Sequence, residues 1–193
     1  LEQLAAALGA GAAQPRLQAP QRPNRPTGRL TAPKVCKAVG ALLPERAIVI
    51  DEAITSGLML GVMTAGCPRH DLITLTGGAI GQGLPNAVGA AIACPQRPVI
   101  ALIGDGTAMY TIQALWTMAR ENLNVTAIIF NNASYSVLNV ELDRVGADEA
   151  GPKAKSQLDL HGPVLSFAQL AQGMGVHAAR THTAEDFCQA LEY

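Results

Sequence analysis

With 193 residues, 49% of them hydrophobic and 15% charged, the chain is long enough for one domain of about 150 residues plus a tail, and too apolar to be disordered. Fourteen Lys and Arg against fifteen Asp and Glu leave a net charge of −1, without the basic excess of a nucleic-acid binder. Cys36, Cys67, Cys94 and Cys188 show no C-x-x-C spacing, which argues against a zinc centre or disulfide framework and for reduced thiols in a cytoplasmic protein, and no apolar run reaches the roughly 18 residues of a membrane span.

In chain order, residues 1–9 read as the end of a helix. Residues 14–30 hold Pro15, Pro20, Pro23 and Pro26 with four arginines and no acid. Proline at that density forbids a helix or a central strand. The segment is expected to be a solvated, semi-rigid linker after the end of a preceding domain, with a nucleic-acid arm or a proline-rich ligand motif as alternatives. The chain starts without Met or a basic leader and both ends look mid-helical, so it reads as a piece of a longer polypeptide, with the main domain over 31–193.

From Thr31 the pattern becomes regular. Thr31 caps a predicted helix with Pro33 in its first turn, and Pro44 ends it. Ala47–Ile50 is a short buried strand followed by a polar turn, Asp51-Glu52. Ile54–Ala65 looks helical and Leu72–Leu75 strand-like. A glycine-rich turn, Gly77–Gly83, leads into a small-residue helix, Pro85–Ala93. The strand Val99–Ile103, the helix Thr111–Glu121 and the strand Val125–Phe130 follow, with Asn131-Asn132 closing the last strand. After a polar stretch, Gly146–Gly162, the reading is helix Ser166–Gly173, strand Val176–Ala179 and helix Ala184–Leu191. Short apolar strands alternating with helices define an α/β fold, a doubly wound parallel sheet with helices on both faces. Ligands in such folds sit beyond the carboxyl ends of the strands.

Gly104-Asp105-Gly106-Thr107 falls at such a place, between a strand and a helix. Glycines let backbone N–H groups approach a phosphate, and a helix N-terminus favours an anion. The Asp105 carboxylate contradicts that unless a cation lies between the two, and Mg²⁺, which takes oxygen ligands, resolves the conflict. Asn132 comes 27 residues after Asp105, one strand–helix–strand unit later. If the two strands are neighbours, one charged and one neutral oxygen lie side by side and leave charge on the ion for a diphosphate. Alone, the first motif could be a tight turn and Asn-Asn an Asx turn; the pair at this spacing is more informative than either.

The combination of Gly104-Asp105-Gly106 with Asn131-Asn132 resembles the signature of the thiamin diphosphate enzymes. The run Gly77-Gly78-Ala79-Ile80-Gly81-Gln82-Gly83-Leu84-Pro85 through Ala91 is similar to the matching segment of acetolactate synthases and benzoylformate decarboxylases, and Ile112–Arg120 to the helix after the Asp motif in the latter. The likeness runs from about Ala32 to the C-terminus and implies the family's diphosphate-binding domain. It implies Mg²⁺ held by the side chains of Asp105 and Asn132 and the carbonyl of Ser134. Gly104, Gly106, Thr107 and the Tyr135 backbone would hold the diphosphate of thiamin diphosphate, with Thr55 and Ser56 touching it from the turn after the first strand. Ile80 falls where the family places an apolar wedge that bends the cofactor into a V, and the Gly78 carbonyl would accept from its 4′-amino group. As an alternative, Ile80 is ordinary core.

The family also needs a glutamate on the aminopyrimidine, carried by a separate pyrimidine-binding domain of the same or another subunit. None of the eight glutamates here has a matching context, and Glu52, nearest the site, reads as structural or near the substrate. No catalytic residue is therefore assigned within the chain. The resemblance implies cleavage or formation of a C–C bond next to the carbonyl of a 2-oxo acid. The stretch after Asn132 lacks the Met and Trp usual in acetolactate synthases, so a decarboxylase or carboligase is equally compatible. A separate subunit of a split decarboxylase of the sulfopyruvate type, or a non-catalytic nucleotide-binding module, are the alternatives. The polar loop after Asn132, through about Gly162, is expected to be mobile without cofactor. Leu115, Trp116 and Met118 spread over more than one helix face, and a homo-oligomer with Trp116 near the contact is expected.

Overall fold

The computed structural model describes residues 1–12, 19–146 and 151–192. An N-terminal helix α1 (Glu2–Ala7) precedes the α/β body, which begins with α2 (Ala32–Leu42), β1 (Ile48–Glu52), α3 (Leu60–Thr64), β2 (Asp71–Thr74) and α4 (Gly83–Ala93). It continues through β3 (Val99–Gly104), α5 (Asp105–Thr111), α6 (Ala114–Arg120), β4 (Val125–Phe130), α7 (Ser136–Arg144), α8 (Pro152–Ser156), α9 (Phe167–Gly173) and α10 (Ala184–Leu191).

The strands form a parallel sheet in the order β2-β1-β3-β4, with Ile48 opposite both Asp71 and Val99, and Gly104 opposite Phe130. Side chains alternate across each strand. Val49, Ile100 and Leu102 face one cluster, with α2, α3 and α10 supplying Val35, Val39, Leu60 and Phe187. Ile48, Ile50, Ala101 and Ile103 face the other, under Leu84, Ala87, Leu115, Met118 and Phe167. This is the doubly wound arrangement expected. The chain leaves β1 toward β2 and leaves β3 toward β4, in opposite directions, so the sheet has its switch point between β1 and β3. A crevice opens outside the carboxyl ends of strands at such a point.

Several local expectations change. Val176–Ala179 is not a strand: its alanines favour the ladder weakly, and Val176 and Ala178 pack on the second cluster without pairing. Ile54–Ala65 breaks into a 3₁₀ turn, Ile54–Ser56, and the short α3, because Gly57 lies directly against the Asp51 carboxylate and Ile54 turns left-handed at φ 50°. The helix expected over Thr111–Glu121 is divided between α5, which begins at Asp105, and α6. The polar stretch after Asn132 contains α7 and α8. Its residues 147–150 lie outside the described residues.

The described part of the proline-rich segment, residues 19–30, is extended, as its composition demands, and though mostly exposed it is also tied to the body. Arg22 donates to the carbonyls of Ala41 (3.1 Å) and Leu43 (2.7 Å), the open C-terminus of α2. Pro26 is buried. The Gly28 N–H donates to the Glu185 carboxylate at 2.9 Å, the Ala184 N–H to the Gly28 carbonyl at 2.8 Å, and Arg25 pairs with Glu192. Pro15 and Arg16 lie outside the described residues.

All four cysteines are free. No helix among the described residues is long and apolar enough to cross a membrane.

Candidate active site

β3 ends at Gly104 and α5 begins at once, so Asp105 opens a helix beside the switch point. Its side chain is 3% exposed. Oδ1 accepts from the Gly106 N–H at 2.8 Å and Oδ2 from the Ala133 N–H at 2.6 Å. The second bond ties the end of β3 to the Asn131–Ala133 turn at the end of β4, so the structure places Asp105 and Asn132 beyond two adjacent strand ends. Ala133 turns left-handed there, at φ 55°. Asn132 Oδ1 accepts from the Ser134 N–H at 3.0 Å, and Asn132 Nδ2 donates to Ser136 Oγ at 2.9 Å, which fixes the amide plane.

A carboxylate offers about four lone-pair positions. Two of those of Asp105 are used, and it has no basic side chain as ion-pair partner among the described residues. A buried anion balanced only by amides retains room for a hard cation. No cluster of three His, Cys, Asp or Glu side chains exists among the described residues. A metal here would rest on Asp105, the Asn132 amide oxygen and the Ser134 carbonyl, which accepts no hydrogen bond among the described residues. That oxygen set suits Mg²⁺ completed by phosphate.

The other residues picked from the sequence divide. Thr55 and Ser56 lie in the 3₁₀ turn after β1, beside α7. Thr107 is buried, and its hydroxyl donates to the Gly104 carbonyl at 2.9 Å, which leaves its backbone rather than its side chain facing the opening of α5. The Tyr135 N–H, expected on a diphosphate, donates instead to the Leu158 carbonyl at 2.9 Å. It is the Tyr135 ring that enters the site, lying on the bare Cα of Gly106. Burial, then the Tyr110 hydroxyl and the Asp105 carboxylate, hold the Tyr135 phenol above its ordinary range. Gly78 and Ile80 sit in the turn between β2 and α4, Gly78 at φ 70° and Ile80 half-buried.

Sequence reasoning did not assign three further features. The Asp51 carboxylate is half-buried and its pKa is raised by that burial, against the opposing bond from the Ala53 N–H. It lines a cavity of about 170 Å³ with Glu52, Ile54, Thr74 and Leu75 at the ends of β1 and β2. A larger hollow of about 630 Å³ lies beside Ser134, between α7, α8 and the 158–161 segment. Tyr110 adjoins Tyr135 with no sequence signal to announce it. The signal for Glu52 was visible as an acid at the end of an apolar strand, but not what it holds.

A family model described as thiamine pyrophosphate enzyme, C-terminal TPP binding domain, matches residues 57–193. The chain belongs to that family, a group of α/β domains that bind thiamin diphosphate. Among curated proteins it is 57% identical over 171 residues to the Mycobacterium tuberculosis protein named "Putative acetolactate synthase large subunit IlvX", covering 88% of this chain and 33% of the relative. It is 32% identical over 166 residues to benzoylformate decarboxylase from Pseudomonas aeruginosa, covering 86% of this chain and 30% of that protein. Among solved structures, the thiamine diphosphate-dependent 4-hydroxybenzoylformate decarboxylase of Rhodococcus jostii RHA1 superposes with a TM-score of 0.77 at 32% identity, over 92% of this chain and 32% of its own. The chain thus spans about a third of the length of the relatives it matches.

Proposed function

We propose that this domain binds thiamin diphosphate through Mg²⁺ and that the protein it serves cleaves or forms the C–C bond next to the carbonyl of a 2-oxo acid. The observation that carries the reading is the buried Asp105 carboxylate, balanced only by two amides and tied through Ala133 to the Asn132 turn. Asp105, Asn132 and the Ser134 carbonyl would hold the ion. Gly106, Thr107 and the residues of the 54–56 turn would orient the diphosphate, and Ile80 and the Gly78 carbonyl the aminopyrimidine end. Bound cofactor supplies a carbon nucleophile and an electron sink for the charge left when CO₂ departs. This chain's own residues position it. The relatives named for decarboxylation and for acetolactate synthesis support the reaction class without choosing between its two directions.

The glutamate that activates the aminopyrimidine would come from a pyrimidine-binding domain of the same or another subunit, and the working unit is a homo-oligomer. Trp116, 52% exposed with the Arg120 guanidinium 4.8 Å above its ring, would lie near that contact. Calorimetry tests the proposal. Thiamin diphosphate should bind with Mg²⁺ and not with chelator, ATP should not replace it, and Asp105→Ala should abolish the binding. Unchanged affinity in Asp105→Ala refutes the assignment.

A further inference from the structure

Glu52 ends β1 with its side chain on the α4 side of the sheet, 2% exposed. Oε1 accepts from the N–H groups of Gly81 (2.7 Å) and Gln82 (3.1 Å), and Oε2 from Gly83 (2.9 Å). One carboxylate therefore gathers three consecutive amides at the start of α4, a helix with no acid in its own first turn and no side-chain cap. The sequence around it is cut to fit. A Cβ on Gly83 would stand 2.6 Å from Glu52 Oε2 and 2.5 Å from Ile103, and one on Gly81 would stand 2.6 Å from Tyr110 Cβ, at a backbone φ of 93°. Gly81 is held from its other side as well, since Thr111 Oγ donates to its carbonyl at 2.7 Å. The peptide after Ile80 is thus clamped at both its N–H and the next carbonyl. Strand β1 and helix α5 are the two jaws.

We propose that Glu52, with Thr111, is a positioning residue: it fixes the main chain that carries Gly78 and Ile80, and so sets where the Ile80 side chain stands against the aminopyrimidine. The consequence for the cofactor rests on the thiamin diphosphate reading above; the clamp itself does not. A glutamine at 52 keeps the shape but turns an NH₂ toward an N–H, so at least one of the three amides loses its acceptor at a buried position. Ile80 then acquires freedom that cofactor affinity, anchored at the diphosphate end, does not register. Turnover registers it, because catalysis needs the reacting groups held in one geometry.

The test compares Glu52→Gln and Thr111→Val with the unaltered full-length protein. Amide hydrogen exchange at residues 81–83 should quicken by about tenfold or more in Glu52→Gln, with β3 and β4 still protected. At saturating Mg²⁺ and thiamin diphosphate, turnover of a 2-oxo acid should fall by about tenfold or more while cofactor affinity stays within about threefold, in both variants. Unchanged exchange at 81–83 overturns the clamp. Faster exchange with unaltered turnover overturns the positioning role and leaves a structural carboxylate. If Glu52→Gln loses protection throughout, Thr111→Val, which removes one part-buried hydroxyl bond, decides by the same turnover criterion. An unaltered protein that binds no thiamin diphosphate overturns the role of Ile80 and the cofactor reading together, while the exchange result still judges the clamp.

Discussion

Tyr135 and Gly106 form the tightest approach in the site, and exchanging the glycine for alanine yields a prediction whose sign depends on one ring. The new Cβ would stand 2.3 Å from Tyr135 Cε1, 2.8 Å from Cδ1 and 3.0 Å from Cζ, with no other atom closer. Carbon atoms rest at about 3.5–4.0 Å, so the ring must retreat by more than about 1 Å. Overpacking of that kind costs about 1–3 kcal/mol. Against it, Gly106 lies in the first turn of α5, where alanine gains up to about 1 kcal/mol in helix propensity over glycine. Gly106→Ala should therefore destabilise by about 0–2.5 kcal/mol in the unaltered background, but stabilise by about 0.5–1 kcal/mol once Tyr135→Ala has removed the ring. For a chain of this size each kcal/mol moves the melting temperature by about 2–4 °C, so the reversal is measurable by urea or thermal unfolding of the four proteins in the cycle. If Gly106→Ala destabilises equally in both backgrounds, the clash is with the backbone and the account of the ring is wrong.

Three further outcomes follow from the same geometry. Asp51 is held above its ordinary 3.8 by burial, so the folded state favours its protonated form. Its contribution is favourable at low pH and is lost as pH rises through the folded value; Asp51→Asn should raise stability at pH 7 and leave it unchanged near pH 3, as unfolding at the two pH values would show, and an equal effect at both would contradict the burial argument. Cys36 is fully buried, and burial, then the Asp51 charge, push its thiol up to about 11; it should resist alkylation at pH 8 until the protein unfolds, whereas modification at the rate of a free thiol would show the core to be open. Arg22→Ala should cost about 1 kcal/mol by freeing the carbonyls of Ala41 and Leu43, and a null result in chemical denaturation would show that Arg22 does not anchor the extended segment to the end of α2.

The sheet was legible because buried parallel strands announce themselves as short unbroken apolar runs. Val125–Phe130 is observed with the bounds expected, and β1 extends beyond Ile50 because Asp51 and Glu52 stay in register with β3, the Glu52 carboxylate being received by amides. The strand expected at Val176–Ala179 failed for the converse reason, since apolar character alone does not build a ladder in an alanine-rich stretch. The juxtaposition of Asp105 with Asn132 could be read from spacing, because one strand–helix–strand unit in a parallel sheet returns the chain to the same end. What spacing could not reveal is where each backbone amide is spent. The resemblance points to the Tyr135 main chain, yet its N–H pairs with Leu158, and its ring matters through Gly106. Likewise proline density shows that residues 19–30 are extended but not that they dock, because docking depends on the end of α2 and on α10, the latter more than 150 residues away.

That last dependence has a consequence for synthesis. The Gly28 N–H pairs with Glu185 across a separation of 157 residues, and Arg25 with Glu192 across 167. Phe187 and Cys188 of α10 also complete the first core cluster against α2. Translation proceeds at about 5–20 residues per second, so α2 waits roughly 8–30 s after its own synthesis before α10, the last part of its cover among the described residues, exists. During that interval the part of the α2 cluster that Phe187 and Cys188 cover is open, and residues 25–28 lack their partners at α10, while the contacts of Gln21 and Arg22 already hold the start of the segment. While α10 is still inside the ribosome this side of α2 is open to aggregation, and the docking of α10 together with residues 25–28 closes it.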